Sequence, residues 1–281
     1  MTETLQLPRP TWFAGCGNMG GAIIDGWRVA GLDIGAITVI RPSGKPVEGA
    51  RTVTSFADAG APPKLLVLAF KPQKLDEIAP ELRRYLSANT IVVSLLAGVE
   101  TASLRERFPG AAAIVRATPN LPVAIRRGVT GLYTSDASDA ARDEIGNIFS
   151  ALGFAMWMVD EARLGALGAV AGAGPAYVAR FIAALTKAGE KRGLSPEIAE
   201  VIARETVLGT AWMSATANEG MDSIARRVAS PNGTTEAGLA VLDREQALDD
   251  LVAATIEASA RRGSELALEA RAPLAESTRL H

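Results

Sequence analysis

Short apolar runs alternate with stretches of helical periodicity over roughly the first 160 residues. Runs of this length and composition are typical of strands that are buried on both faces of a sheet. The strands predicted in this way cover residues 11–15, 37–41, 65–69, 91–95, 112–116, 130–134 and 154–159. Helices are predicted between them over residues 18–30, 73–86, 102–108 and 139–152, with a kink at Pro80 and with Thr101 as an N-cap. The alternation predicts a parallel sheet covered by helices on both faces.

The strand pattern stops near residue 160, and the rest of the chain reads as helices interrupted by Gly and Pro. Ser195 followed by Pro196 predicts the start of a helix that runs to about residue 215. A turn at residues 230–233 feeds a helix over 234–242, and a last amphipathic helix covers about 246–270. Two domains are therefore predicted, an α/β domain over residues 1–160 and an all-α domain over 161–281.

The first predicted strand runs directly into a glycine-rich G-x-G-x-x-G segment that opens a helix. Its members are Gly15, Cys16, Gly17, Asn18, Met19 and Gly20. Glycines at this spacing allow a tight turn and let backbone N–H groups approach a pyrophosphate at a helix N-terminus. The α/β domain is therefore predicted to be a doubly wound sheet of the Rossmann type that binds a dinucleotide through Gly15, Gly17, Asn18, Met19 and Gly20.

The end of the second predicted strand indicates which dinucleotide is bound. NAD-binding domains place an Asp or Glu there to hold the ribose hydroxyls, whereas this chain has Arg41, Pro42 and Ser43. A cation and a hydroxyl suit a 2′-phosphate, and no carboxylate is present to repel it. Arg41 and Ser43 therefore predict NADPH as the cofactor, with NADH as a weaker alternative. The other interpretation is that Arg41 is only a solvated charge at a strand end.

The balance of charges and the scarcity of cysteine and histidine exclude several classes of function. The chain has 29 basic and 31 acidic residues without a run of either sign, so nucleic acid and anionic membranes are not expected partners. Cys16 is the only cysteine and His281 the only histidine, which argues against disulfides, metal centres and histidine triads. The first ten residues lack the pattern of a signal peptide, and we expect a cytoplasmic protein without a metal.

One apolar segment, residues 164–179, carries no charge and is rich in small residues. It is 16 residues long, with Gly and Pro at its centre, and so falls short of the roughly 20 apolar residues that span a bilayer. We therefore expect a buried helix at a contact between subunits rather than a membrane segment.

Further motifs resemble those of the pyrroline-5-carboxylate reductases. The segment Ala69-Phe70-Lys71-Pro72-Gln73 is similar to the family's A-V-K-P-Q, Ala97-Gly98 to an alanine-glycine pair after the next strand, and residues 116–122 to its R-V-M-P-N-T-P. The resemblance implies that these loops border the cofactor. It adds to the cofactor-binding candidates Ala69, Phe70, Lys71, Pro72, Ala97, Gly98 and Asn120.

The most specific match lies in the helical region, where V-A-S-P-N-G-T-T at residues 228–235 resembles the family's V-T-S-P-G-G-T-T. The resemblance implies that Ser230, Gly233 and Thr234 bind the substrate carboxylate. It also implies that Thr235 binds the ring nitrogen and is the catalytic residue. The implied reaction is NADPH-dependent reduction of the cyclic imine 1-pyrroline-5-carboxylate to L-proline, and the implied assembly is a homodimer or larger homo-oligomer through the all-α C-terminal dimerisation domain.

This chain departs from the family pattern in the segment that resembles D-A-V-T-A-L-S-G-S-G-P. Gly165, Gly168, Ala171 and Ala173 stand where the family has Asp, Thr, Ser and Ser. The loss of these polar groups leaves two alternatives open. One is a related imine or β-hydroxyacid-type reductase, for which Lys187 is the nearest candidate lysine, and the other is a non-catalytic protein that binds NADPH.

Overall fold

The computed structural model describes residues 5–271, with side chains described for residues 5–268. His281 lies outside this range. The described residues form one eight-stranded sheet, the helices that flank it, and a helical region that follows it. The predicted class, a doubly wound α/β sheet followed by an all-α region, is confirmed.

The sheet has the strand order β3-β2-β1-β4-β5-β6-β7-β8. In chain order the strands are β1 (Thr11–Ala14), β2 (Ile37–Ile40), β3 (Arg51–Val53), β4 (Leu65–Leu68), β5 (Ile91–Ser94), β6 (Ala113–Pro119), β7 (Gly128–Tyr133) and β8 (Gly153–Trp157). The order reverses at β1, which pairs with both β2 and β4. The carboxyl ends of β1 and β4 therefore flank the crevice in which open α/β sheets bind ligands.

Two features of the sheet differ from the prediction. The strand β3 was missed because it has only three residues, begins with an exposed arginine, and lies at the edge of the sheet. The prediction of a wholly parallel sheet is wrong for the last two strands, because β7 runs antiparallel to β6 and β8 runs parallel to β7. Only a 3₁₀ turn, Leu121–Ile125, lies in the connection between these strands. That connection is too short for the crossover of a dozen or more residues that a parallel pair requires.

The helices of this part of the chain are α1 (Asn18–Val29), α2 (Leu75–Leu82), α3 (Thr101–Arg107) and α4 (Asp139–Ser150). The predicted helix over 73–86 is divided into a 3₁₀ turn, α2 and a second 3₁₀ turn. Pro80 lies inside α2 and has no N–H to continue the helical hydrogen bonds, and α2 ends two residues later. Thr101 is the first residue of α3, and Glu100 takes the N-cap position that was predicted for Thr101.

Apolar side chains of successive strand residues bury both faces of the sheet. Phe13 and Trp12 are fully buried and belong to different apolar clusters, because neighbouring residues of a strand point to opposite faces. On one face Trp27 of α1 packs edge-on against Phe13 and Phe149, with ring centroids 5.9 Å apart in each pair. The Trp27 Nε1 atom donates to the Ile148 carbonyl oxygen at 2.7 Å. These contacts fix α1 against the face of the sheet to which Phe13 belongs.

Helices follow the last strand, as predicted. They are α5 (Glu161–Leu167), α6 (Gly174–Lys191), α7 (Pro196–Ala217), α8 (Met221–Val228), α9 (Thr234–Leu242) and α10 (Ala247–Arg271), with a π-helical turn at Gly168–Gly172 between α5 and α6. Ser195 caps α7 by accepting a hydrogen bond from the Ile198 N–H, and α9 has the predicted bounds.

The segment Glu161–Lys191 forms a continuous helical stretch of 31 residues. The argument that the segment is too short to span a bilayer is therefore wrong, because the helix passes through the π-turn instead of ending there. By length and composition alone the stretch is long and apolar enough to cross a membrane, and only 6% of its most apolar window is buried within the single chain. This burial refers to one chain alone, so the expectation that the helix is buried at a contact between subunits stays a prediction. An apolar helix this exposed requires cover from another surface, and the absence of membrane contact stays a prediction.

Residue contacts divide the chain into two compact units. One extends to Ala173 and resumes at Ser259, and the other is Gly174–Ala258. By contacts, α5 and the π-turn thus belong with the sheet, whereas the predicted boundary at residue 160 follows the change from strands to helices. The division into domains 1–160 and 161–281 stays a prediction.

Candidate functional site

The glycine-rich loop lies at the carboxyl end of β1, where the strand order reverses. Gly15 has a left-handed φ of +80°, and a β-carbon there would lie 2.8 Å from the Ala69 carbonyl oxygen. A β-carbon on Gly20 would lie 3.2 Å from Ala69 Cβ, whereas one on Gly17 would meet nothing within 4 Å. Gly15 and Gly20 are therefore needed for close packing, and Gly17 leaves open space beside the N-terminus of α1. This is the cradle that a pyrophosphate requires.

The loop after β4 meets this glycine loop directly. Ala69 continues the pairing of the strands by donating its N–H to the Ala14 carbonyl oxygen at 2.8 Å. The hypothetical β-carbon of Gly15 would also lie 3.0 Å from Phe70 Cβ. Lys71 is exposed and Pro72 half-buried, at the start of a 3₁₀ turn. The structure thus brings the predicted residues 69–72 to the same edge as the glycine loop.

Arg41 lies at the carboxyl end of β2, beside the glycine loop. Its Nε donates to the Ser43 Oγ at 3.0 Å, and the Gly44 N–H donates to its carbonyl oxygen. Burial raises the pKa of the Cys16 thiol, the Arg41 guanidinium partly opposes that rise, and Asp25 adds to it. The Gly15 N–H donates to the Ile40 carbonyl oxygen at 2.8 Å, so Arg41 directly follows a residue that binds the glycine loop. Arg41 and Ser43 thus form a cation–hydroxyl pair at this strand end, and their contact with a 2′-phosphate stays a prediction.

The loop after β5 contains Ala97 and Gly98, and the structure explains why position 98 is a glycine. Gly98 has a φ of +77°, and a β-carbon on it would lie 2.7 Å from the backbone nitrogen of Ala267 in α10. Any side chain at position 98 would therefore displace α10. Ala97 is exposed, so the cofactor-binding role predicted for this pair is accompanied by a close contact between backbones that the sequence did not reveal.

Asn120, just beyond β6, is buried and makes hydrogen bonds with both atoms of its amide. Its Oδ1 accepts from the Val129 N–H at 2.8 Å, and its Nδ2 donates to the Ala171 carbonyl oxygen at 3.0 Å. In a regular α-helix the N–H of residue 175 would donate to that carbonyl, but Pro175 has no N–H. Asn120 therefore replaces a missing helical hydrogen bond and ties the π-turn to the sheet.

An ion pair that sequence reasoning missed fixes the start of α5. The Arg116 Nη1 atom lies 2.9 Å from the Glu161 Oε1 atom, which also accepts from the Thr101 N–H at 2.9 Å. The side chains are 13% and 25% exposed, so water screens the pair less than it screens a surface pair. A glutamate about 45 residues downstream gives no local signal that it pairs with this arginine.

The turn before α9 holds the predicted substrate-binding residues of the helical unit. Asn232 has a left-handed φ of +57°, and its N–H donates to the Glu236 Oε2 at 2.6 Å. A β-carbon on Gly233 would lie 2.3 Å from the Ser230 Oγ and 2.9 Å from the Ser230 carbonyl oxygen, so this position favours glycine. Gly233 is the N-cap of α9, and the first N–H groups of a helix lack partners within it. The turn thus offers backbone donors to an anion.

Three hydroxyl groups surround this helix start. Ser230 and Thr234 are exposed and Thr235 is half-buried. Among the described residues no hydrogen bond involves the hydroxyls of Ser230, Thr234 or Thr235. These groups are therefore available to a ligand.

The structure groups the predicted site residues into two sets. The glycine loop, Arg41 and the loop after β4 lie together at one end of the sheet, with the loop after β5 and Asn120 at the same carboxyl edge. Ser230, Gly233, Thr234 and Thr235 lie together at the start of α9. The two sets belong to different compact units.

Both parts of the chain are similar to known protein families. Residues 161–266 match the family described as pyrroline-5-carboxylate reductase dimerisation, and residues 12–98 match the family described as NADP oxidoreductase, coenzyme F420-dependent. The pyrroline-5-carboxylate reductase of Pseudomonas aeruginosa is 36% identical over 262 residues, which cover 91% of this chain and 96% of that protein.

Solved structures agree with this comparison. A pyrroline-5-carboxylate reductase from Coxiella burnetii has a TM-score of 0.84 and 31% identity, covering 92% of this chain and 99% of its own. A Plasmodium falciparum pyrroline carboxylate reductase with NADP bound also has a TM-score of 0.84, at 23% identity, and covers 94% of this chain and 100% of its own. The latter likeness supports the fold.

Proposed function

The chain belongs to the pyrroline-5-carboxylate reductase family, and we propose that it reduces 1-pyrroline-5-carboxylate to L-proline with NADPH as the hydride donor. The observation that carries this proposal is the 36% identity to the Pseudomonas aeruginosa enzyme over 91% of the chain. The glycine loop lies within residues 12–98 and the turn before α9 within residues 161–266, which match the two families named above. A chain that had lost the activity would not be expected to keep the geometry of both.

The residues at the edge of the sheet fit NADPH. The backbone around Gly15, Gly17 and Gly20 would hold the pyrophosphate at the start of α1, since Gly17 borders open space. The Arg41–Ser43 pair would hold the 2′-phosphate. When bound, NADPH supplies a hydride to the imine carbon.

The residues at the start of α9 fit the substrate. The unpaired N–H groups there, with the hydroxyls of Ser230 and Thr234, would hold the carboxylate. The oxygen atom of the Thr235 hydroxyl would accept a hydrogen bond from the N–H of the protonated ring nitrogen. A protonated imine is already a good electrophile, so the chain mainly has to orient the substrate and stabilise its charge.

The role of Thr235 is tested by Thr235→Ala. We expect its kcat/KM for the imine to fall at least tenfold, which corresponds to about 1.4 kcal/mol, while the Kd for NADPH stays unchanged. Thr235→Ser keeps the hydroxyl and should retain most of the activity. Thr210→Ala is a matched control, because within residues 5–268 the Thr210 hydroxyl bonds only to the Thr206 carbonyl of its own helix. An unchanged kcat/KM in Thr235→Ala would remove Thr235 from the mechanism.

The match of residues 161–266 to a dimerisation family supports a homo-oligomer. In this proposal a second copy covers the exposed apolar side of Glu161–Lys191, so the protein is a homodimer or a larger assembly of dimers that works in the cytoplasm. Light scattering should give at least the mass of a dimer in the absence of detergent. A monomer, or a protein that stays in solution only with detergent, would contradict this assembly.

One observation favours altered substrate choice within the same chemistry. Positions 168 and 171, which carry Thr and Ser in the family pattern, have no polar side chain here, and both lie against the carboxyl end of β6. A six-membered cyclic imine, piperideine-6-carboxylate, is therefore the alternative substrate to assay. A higher kcat/KM with it than with the five-membered imine would replace the proline assignment.

A further inference from the structure

Three alternate residues at the end of β6 face the same side of the sheet, because side chains two apart in a strand share a face. They are Arg116, Thr118 and Asn120. The outer two are paired with the segment that passes over them, Arg116 with Glu161 at 2.9 Å and Asn120 with the Ala171 carbonyl at 3.0 Å. The middle residue, Thr118, therefore lies beneath the same segment.

Thr118 contacts this segment through its methyl group. A β-carbon on Gly168 would lie 3.3 Å from the Thr118 Cγ2 atom, so the methyl group packs against bare backbone. Thr118 is half-buried, and among the described residues its hydroxyl makes no hydrogen bond. Its strand partner across the sheet is Gly131, which has no side chain to offer one. The Thr118 hydroxyl is thus an available donor and acceptor held in a packed position.

The position of Thr118 indicates what this hydroxyl meets. The strand β5 pairs with β6 as far as Ser94 and Arg116, so Thr118 lies two residues beyond that pairing, at the carboxyl edge of the sheet. Dinucleotides bind along this edge, with one mononucleotide on each side of the point where the strand order reverses. Arg41, the proposed ligand of the 2′-phosphate, lies on the β2 side, so the adenosine half of the cofactor is expected there. The nicotinamide half is then expected along β4, β5 and β6.

We propose that the Thr118 hydroxyl binds the nicotinamide carboxamide of the cofactor and that Gly168 is bare so that Thr118 fits beneath it. A carboxamide carries a carbonyl acceptor and an NH₂ donor, and a hydroxyl serves either. The family pattern has Met at the position of Thr118 and Thr at the position of Gly168. This chain therefore carries a threonine hydroxyl on the strand β6, whereas the family pattern carries one on the helical segment that passes over the strand. The assignment rests on the proposed use of NADPH.

Thr118→Val tests this role, because valine keeps the methyl contact and the shape and removes only the hydroxyl. The Kd for NADPH is measured by fluorescence titration of the full-length protein. The Kd for 2′-phospho-ADP-ribose, which lacks the nicotinamide, is measured by calorimetry. One neutral hydrogen bond corresponds to a change of about three- to tenfold in Kd. We expect that increase for NADPH, a change of less than twofold for 2′-phospho-ADP-ribose, and an unchanged Tm. Thr118→Ser keeps the hydroxyl and should bind NADPH like the wild type.

Each contrary result has a separate meaning. Wild-type affinity for NADPH in Thr118→Val would overturn the role of Thr118, as would equal weakening of both ligands, since the nicotinamide would then not be involved. Failure of the wild type itself to bind NADPH would overturn the proposed cofactor and this inference with it.

Discussion

Replacing Asn120 by leucine tests whether this residue anchors the π-turn to the sheet. Leucine has a similar size but neither donates nor accepts hydrogen bonds. The substitution leaves the Val129 N–H, 2.8 Å from Oδ1, and the Ala171 carbonyl, 3.0 Å from Nδ2, without partners. Asn120 itself is only 6% exposed, so water does not readily replace the amide.

The expected magnitude follows from these two bonds. A hydrogen bond contributes about 0.5–1.5 kcal/mol net, and a buried group left unpaired costs about 1–3 kcal/mol. Because Val129 is partly exposed, we take the lower part of each range and expect Asn120→Leu to lower the free energy of unfolding by about 2–4 kcal/mol. Asn120→Asp keeps the acceptor for Val129 but places a carboxylate beside the Ala171 carbonyl, so it should also destabilise the protein.

Urea unfolding of the protein without cofactor, followed by tryptophan fluorescence, measures this change. Trp27 is fully buried in the same unit and reports on its unfolding. Asn89→Leu is the matched control, since Asn89 is exposed and its side chain makes no hydrogen bond in the described structure; its effect should be within about 0.5 kcal/mol. If the free energy of unfolding of Asn120→Leu also lay within about 0.5 kcal/mol of the wild-type value, the anchoring role of Asn120 would be refuted.

Three further predictions concern the glycine loop and its surroundings. Gly26→Ala should destabilise the protein by about 3 kcal/mol in urea unfolding, because its β-carbon would lie 2.2 Å from the Val123 carbonyl oxygen. Gly21→Ala in the same helix meets nothing within 4 Å and should be neutral or stabilising by up to about 1 kcal/mol; equal effects would contradict the packing of α1. Arg41→Ala should raise the Kd for NADPH about tenfold and leave the Kd for NADH within about twofold, as expected for the loss of a charged hydrogen bond. An equal loss of affinity for both cofactors would show that Arg41 does not bind the 2′-phosphate. Burial raises the pKa of Cys16, so less thiolate is present at neutral pH. Alkylation of Cys16 by iodoacetamide should therefore be slower than that of cysteine in solution and should increase only at higher pH. Rapid alkylation at pH 7 would contradict this.

The sequence predicted those elements whose signals are local. Apolar runs located every strand of the sheet except β3, whose residues Arg51–Val53 form a short, partly exposed edge. The turn at 230–233 and the start of α9 at Thr234 were predicted because Ser, Pro, Asn and Gly have strong local preferences there. The reversal of β7 was missed, although the short connection after Pro119 already excluded a parallel crossover.

Contacts between distant segments were not predictable in the same way. Gly26 approaches Val123, and Gly98 approaches Ala267, through backbones that no local pattern relates. The pairing of Asn120 with Ala171 depends on the π-turn, which the sequence did not reveal. The candidate residues of the glycine loop could be identified from spacing alone, whereas the roles of Ser230, Gly233, Thr234 and Thr235 came from resemblance to the family.

Transfer of hydride to the cyclic imine is the central claim, and an isotope label measures it most directly. The purified protein is incubated with 1-pyrroline-5-carboxylate and NADPH that carries deuterium on the reactive face of C4, and the product is analysed by mass spectrometry. The account predicts L-proline that carries one deuterium at the former imine carbon, formed faster than with equally labelled NADH. NADPH that binds but yields no labelled proline would contradict it.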